Sequence, residues 1–272
     1  MDQVLFIVWR ESVEALLVVG ILYAWLKANP VSGQRGLRYL WGGVAAGLVL
    51  SGFLALLILG VSTLLSDDGQ QYFQAGMALV AAALVVQMVY WMRRHGRTLK
   101  RELESGLAQN VQRNNWWGLL ILVMIAVARE GSETVVFLYG TLATAEAGQL
   151  WQYAAAGALG LLAAFVTFWL LQLGGKLITW RLFFRVTEIL LLLLAGSLLV
   201  SGLEKLVSVG LLPGVIDPLW DSSALLEDSH GVGKLLADFA GYRALPALSV
   251  LLAWLLFWAG SALLLRRASS AR

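Results

Sequence analysis

The sequence contains no cysteine. That excludes disulfides, thiolate metal sites and cysteine-ligated iron–sulfur clusters. Histidine is nearly missing too. The two are His95 and His230, and neither falls in an apolar run, so haem ligation by histidine inside a bilayer is excluded. Charge is scarce: 14% of the 272 residues are Asp, Glu, Lys or Arg, against about a quarter in soluble domains. There is no Ser/His or Cys/His pair within the apolar runs and no H-E-x-x-H motif, so an enzyme is not expected. Nor is a permanently bound cofactor. Alternating segments of about 10 residues, the mark of a membrane β-barrel, are absent as well.

What the chain has instead is long apolar runs, with 59% hydrophobic residues overall. Runs of about 20 residues are long enough, as helices, to cross a hydrocarbon core of roughly 30 Å. Seven are predicted, at 4–26, 38–61, 73–92, 116–140, 149–172, 183–206 and 247–265. The expected fold class is therefore an all-α polytopic membrane protein with seven transmembrane helices. The first run lacks a basic leader and carries a charged motif, so it reads as a retained helix and not a signal peptide.

Basic residues sort to one side. Fifteen of the twenty fall in the connectors after spans one, three and five and in the tail, six of them between Arg93 and Arg113. The opposite face holds Asp67, Asp68, Glu146, Asp217, Asp221, Glu227, Asp228 and Asp238. The positive-inside rule then places the N-terminus outside and the C-terminus in the cytoplasm. The basic face suits anionic membrane lipid, and no nucleic-acid partner is expected. Trp25, Trp41, Trp91, Trp116, Trp117, Trp151 and Trp180 lie near span ends, where such rings favour the interface.

Two charged pentapeptides interrupt this pattern. Arg10-Glu11-Ser12-Val13-Glu14 lies inside the first run and Arg129-Glu130-Gly131-Ser132-Glu133 inside the fourth; both read R-E-x-x-E. A single charge at the centre of a membrane helix costs roughly 2.5–3.5 kcal/mol. With span one running inward and span four outward, the motif appears on antiparallel helices. Spans two and five are both rich in small residues, including the Gly43/Gly47 G-x-x-x-G pair. Together these features suggest an inverted 3+3 helix repeat plus a seventh helix. The chain then reads as one membrane domain, 1–272: first repeat 1–92, cytoplasmic connector 93–115, second repeat 116–206, outer loop 207–246, seventh helix 247–265 and tail 266–272.

Residues three apart share a helix face, so Glu11 and Glu14 point together, as do Glu130 and Glu133. Arg10 stands i, i+4 to Glu14 and Arg129 likewise to Glu133, so each arginine can keep one carboxylate ionised. If the helices cross near their motifs, four carboxylates converge, and hard cations choose carboxylate oxygen. Fully ionised, the six groups carry a formal charge of −2. A divalent ion neutralises it and a trivalent ion leaves +1. Internal salt bridges with no ligand, or a proton relay, would also use these residues.

These two motifs, in the first and fourth of seven expected helices, resemble the iron permease family of yeasts and bacteria. Tyr90-Trp91-Met92, Arg181-Leu182-Phe183-Phe184, Pro218-Leu219-Trp220-Asp221 and Gly241-Tyr242-Arg243 resemble its bacterial branch. The resemblance implies iron import across the bacterial inner membrane, with Fe²⁺ or Fe³⁺ as transported substrate. It implies that Glu11, Glu14, Glu130 and Glu133 contact the metal, supported by Arg10 and Arg129. It also implies a periplasmic partner that oxidises or delivers iron, of cupredoxin, peroxidase or multicopper oxidase type. Two other readings fit the motifs: a transporter of another divalent cation such as manganese, and a non-transporting membrane subunit of a redox complex.

Further pathway candidates are Glu188, two turns into span six from the inner side, and Asp217 and Asp221 in the acidic outer loop. Leu99, Leu103, Leu107 and Val111, at i, i+4 spacing, suggest a short amphipathic helix in the connector.

Overall fold

A computed structural model describes residues 1–28, 30–95, 105–106, 115–142, 150–172 and 180–270. The elements are α1 (Asp2–Ala28), α2 (Pro30–Leu64), α3 (Asp67–His95), α4 (Trp116–Leu142), α5 (Leu150–Gln172), α6 (Trp180–Ser208), α7 (Gly231–Ala240) and α8 (Leu248–Ser270). There is no strand among the described residues.

Among the described residues five helices, α2, α3, α5, α6 and α8, are long and apolar enough to cross a membrane. The motif helices α1 and α4 have 27 residues each, about 40 Å at the usual helical rise. Every 18-residue stretch within them holds at least three charged side chains, so they do not meet the same apolar standard. Val49, Phe53 and Leu56 on α2 and Leu162, Val166 and Trp169 on α5 face outward. Together with its apolar helices, such a surface suits a multi-pass membrane protein, where lipid covers it.

Helix ends follow local chemistry. Asn115 caps α4, its Oδ1 accepting the Gly118 N–H at 3.0 Å. Pro30 opens α2, where its missing N–H costs nothing. Asp2 starts α1 and Lys27 ends it, as the helix dipole favours. Gly241, at φ 73°, stops α7; its N–H reaches the Ala237 carbonyl and the Tyr242 N–H that of Leu236.

The helices outrun the apolar runs that announce them. The connector after span one is largely absorbed into α2, which begins at Pro30 instead of residue 38, and α8 continues through Arg266 and Arg267 of the expected tail. Backbone hydrogen bonding continues past the apolar stretch until a capping residue or proline ends it. The segment 207–246, expected as loop, contains α7. This short helix docks over the start of α1, between α6 and α8. The Ser197 hydroxyl donates to the Ala237 carbonyl at 2.9 Å, the Gln3 amide to the Asp238 carbonyl and the Trp254 indole to the Ala240 carbonyl at 3.0 Å. Val232, Leu235, Leu236 and Phe239 before Gly241 are the helical signal that the loop reading missed. The connector helix expected around Leu99–Val111 lies outside the described residues.

Three pairings organise the bundle: α1 with α5, α2 with α4, and α3 with α6. Two of them depend on glycine. On α2, a Cβ at Gly43 would stand 2.7 Å from the Leu120 carbonyl, and one at Gly47 would stand 2.8 Å from the Val127 Cβ. On α5, a Cβ at Gly160 would stand 2.6 Å from the Leu5 carbonyl of α1. The G-x-x-x-G pair therefore seats α2 directly on motif helix α4. Between these pairs, α1 and α4 touch each other. Leu26 and Trp116 both lie against Gly36, while Glu11 and Glu14 meet Glu130. The end of α1 thus meets the start of α4, and the two helices run antiparallel.

Candidate metal site

Along α1 the motif lies between two apolar clusters. One contains Phe6 and Ile7, with Ala81, Val85, Val89, Phe137, Leu191 and Leu194. The other contains Val18, Leu22 and Leu26, with Leu40, Leu119, Val123 and Val127. Along α4 the motif is flanked by Val127 of the second cluster and Phe137 of the first. Apolar packing thus closes off the charged groups toward both ends.

Arg10 is wholly buried and Glu11 is 1% exposed. The Arg10 Nη1 donates to Glu11 Oε1 at 2.6 Å and its Nη2 to Glu14 Oε1 at 2.5 Å. One arginine therefore serves both carboxylates of its motif, where the i, i+4 spacing alone suggested one. The second motif differs. Arg129 is 42% exposed, its Nε donates to Glu133 Oε1 at 3.0 Å, and its guanidinium lies over the Trp91 ring at 4.6 Å.

One carboxylate oxygen from each of Glu11, Glu14 and Glu130 lies within 4.8 Å of the others. Oxygens bound to one small divalent ion stand about 3.0 Å apart when neighbouring and about 4.2 Å when opposite, so a bound ion would draw the trio closer together. Glu133 is not in this trio; it stays with Arg129. Three buried carboxylate oxygens, Glu11 Oε2, Glu130 Oε2 and Glu133 Oε2, have no hydrogen-bond partner among the described residues. Burying a carboxylate oxygen with nothing to satisfy it is costly. A cation in the cluster would satisfy them, and the ligands on offer, all oxygen, suit a hard or borderline one.

The remaining candidates lie elsewhere. Glu188 on α6 forms an ion pair with Arg93 of α3, whose Nη1 also donates to the Leu265 carbonyl of α8 at 3.3 Å. Asp217 and Asp221 are exposed in the segment before α7, and neither belongs to the cluster of acids. Asp221 closes a turn, its Oδ1 accepting the Ser223 hydroxyl at 2.6 Å and backbone N–H at 2.9 Å, and these two donors hold its carboxyl below the usual range. Two of the other segments singled out in the sequence make contacts away from the motif acids. Phe183 meets Trp9 edge-on at 5.5 Å. Tyr242 donates to the Leu226 carbonyl at 2.9 Å, and Arg243 places its Nε 2.8 Å from both Glu204 oxygens.

Sequence reasoning missed what α3 contributes. Met88 and Met92 touch Arg10, their Sδ atoms lying 2.9 Å from Nη1 and 3.2 Å from Nη2. Trp91, read as an interfacial anchor, lies beneath Arg129. Their spacing on one helix face is visible in the sequence; which helix they face is not.

Comparison with known proteins gives the following. The Iron permease FTR1 family matches residues 1–268. A protein of Escherichia coli O6:K15:H31 (strain 536 / UPEC) named "Ferrous iron permease EfeU" is 31% identical over 255 residues, covering 92% of this chain and 90% of its own length. A Yersinia pestis protein of the same name is 29% identical over 248 residues, covering 89% and 85%. No solved structure matches the chain.

Proposed function

The chain belongs to the Iron permease FTR1 family, which makes it an iron transporter and not an enzyme, and from that premise we propose that it imports ferrous iron through Glu11, Glu14, Glu130 and Glu133. The observation that carries this reading is that buried carboxylate oxygens of Glu11, Glu130 and Glu133 have no partner among the described residues, beside the trio of Glu11, Glu14 and Glu130 within 4.8 Å. The formal charge of −2 over both motifs matches a divalent ion, and the named relatives are ferrous permeases.

In the proposed cycle the acidic outer face attracts the ion. The ion exchanges water for carboxylate oxygens of Glu11, Glu14 and Glu130, and Glu133 joins by swinging from Arg129. Release inward requires the cluster of Val18, Leu22, Leu119 and Val123 to open while that of Phe6, Ile7 and Phe137 stays packed. An architecture of seven spans in an inverted 3+3 repeat would supply such a motion. It is supported by the exchange-related pairings of α1 with α5 and of α4 with α2. The charge asymmetry of the connectors supports an outside N-terminus in the bacterial inner membrane. A periplasmic partner of cupredoxin, peroxidase or multicopper oxidase type handles the redox state of iron, in keeping with a chain that has no cysteine.

The test is iron uptake by cells carrying Glu11→Ala or Glu130→Ala, at membrane abundance equal to the parent. Uptake is expected to fall to background. Uptake near the parental level in either variant would remove these residues from the pathway.

A further inference from the structure

Four residues near the end of α3 each touch a charged side chain of another helix. Met88 and Met92 touch Arg10, Trp91 lies under Arg129, and Arg93 pairs with Glu188. The contacts with Arg10 are unusual in chemistry. Nη1 and Nη2 carry two hydrogens each. Each nitrogen directs one toward a carboxylate, Glu11 or Glu14, and the other toward a thioether, Met88 or Met92. Met88 and Met92 stand i, i+4 on α3, so their sulfurs form a fork that matches the two ends of the guanidinium.

The type of acceptor matters. A leucine of similar size would pack in the same space but leave two buried N–H groups unmade. A carboxylate would accept well but would add a fifth negative group and draw the arginine from its glutamates. A thioether accepts weakly and carries no charge. It takes up the remaining Nη hydrogens while leaving the positive charge to Glu11 and Glu14; the buried Nε has no partner among the described residues. With Arg10 pinned, Glu11 keeps Oε1 on the arginine and leaves Oε2 unpartnered.

We propose that Met88 and Met92 are positioning residues: a thioether fork that fixes Arg10 so that the Glu11 and Glu14 carboxylates are held in place for the ion. The proposal rests on the reading that these glutamates bind iron. It concerns two residues of α3 outside the R-E-x-x-E motifs.

The test is uptake of ferrous iron by the purified full chain in proteoliposomes, as a function of iron concentration and normalised to inserted protein. Four variants are compared with the parent: M88L/M92L, M88Q/M92Q, Met77→Leu and Glu11→Ala. The leucine pair keeps volume and loses the acceptors; a roughly 10-fold rise in the half-saturating iron concentration is expected for two buried N–H groups left unmade. The glutamine pair restores a neutral acceptor at similar length and is expected within about 3-fold of the parent. Met77→Leu, three turns away on α3, is expected to match the parent. Parental behaviour of the leucine pair overturns the fork, and so does equal impairment of the leucine and glutamine pairs. Should the leucine pair fail to insert, Met92→Leu alone is read: a rise in half-saturation supports the fork, and parental kinetics overturn it. Inactivity of Glu11→Ala beside a parental leucine pair sinks the fork alone. A parental Glu11→Ala sinks the glutamate site and the fork with it.

Discussion

The two R-E-x-x-E motifs share a spacing and differ in surroundings. Arg10 is sealed between α1 and α3, bonded to two carboxylates and two sulfurs. Arg129 is half exposed, bonded to one carboxylate and resting on an indole. The motifs also differ at their third position. In the second motif it is a glycine in close contact, because a methyl group at Gly131 would run into Ser51 of α2, whose Cβ would be 2.7 Å away. In the first motif the corresponding position is Ser12. One pentapeptide pattern thus yields a tightly held half and a looser half. The tight half provides a fixed wall. The looser half leaves Glu130 without an arginine partner among the described residues and Glu133 on a half-exposed arginine, an arrangement that would suit the proposed binding and release.

The sharpest way to break this comparison is to replace each arginine by lysine. One ammonium group cannot span two carboxylates and two sulfurs, so Arg10→Lys is expected to cost about 2 kcal/mol or more in stability and to stop transport. Arg129→Lys keeps a cation beside Glu133 and over Trp91, and is expected to cost about 1 kcal/mol or less. Thermal unfolding in detergent, read beside uptake, gives both numbers; equal losses at the two sites would erase the asymmetry. The glycine contrast comes next. Gly131→Ala is expected to destabilise by roughly 1–3 kcal/mol through overpacking against Ser51, whereas Ser12→Ala is expected to stay within about 0.5 kcal/mol of the parent. A Gly131→Ala/Ser51→Gly double variant that recovers the loss would sharpen the assignment to that contact.

Smaller still is the effect of Trp91→Leu. Losing the ring beneath Arg129 is expected to cost about 0.5–2 kcal/mol and to slow iron uptake while leaving membrane abundance intact. No change in uptake would mean that Trp91 merely fills space. Asp221→Asn is expected to change least, because its carboxylate serves a local turn. Uptake should match the parent, and a large loss would bring the outer segment into the pathway.

Much of this was legible in the sequence, for reasons that mark where sequence reading stops. The apolar runs located the long helices because a run of about 20 apolar residues favours a helix that lipid or neighbouring helices can cover. The acids at i, i+3 were legible because their convergence on one face depends only on helical geometry. Gly43 and Gly47 signalled a close contact, though not that α4 makes it. What tertiary packing alone decides was hidden. The sequence gives Arg10 and Arg129 the same motif, yet their exposures differ because α3 lays two methionines against one and a tryptophan against the other. Glu188 read as a lone acid because its partner Arg93 lies 95 residues away. The helix α7 was missed because a short amphipathic pattern amid acidic residues resembles a solvated loop until its neighbours α1, α6 and α8 are known.

The most direct measurement is a structure of the full chain with ferrous iron, read by anomalous scattering at the iron edge. The expected result is a single strong peak among Glu11, Glu14 and Glu130, within bonding distance of at least three carboxylate oxygens, with Arg10 still on Met88 and Met92. A peak elsewhere in the bundle, with these acids bonded only to their arginines, would contradict it.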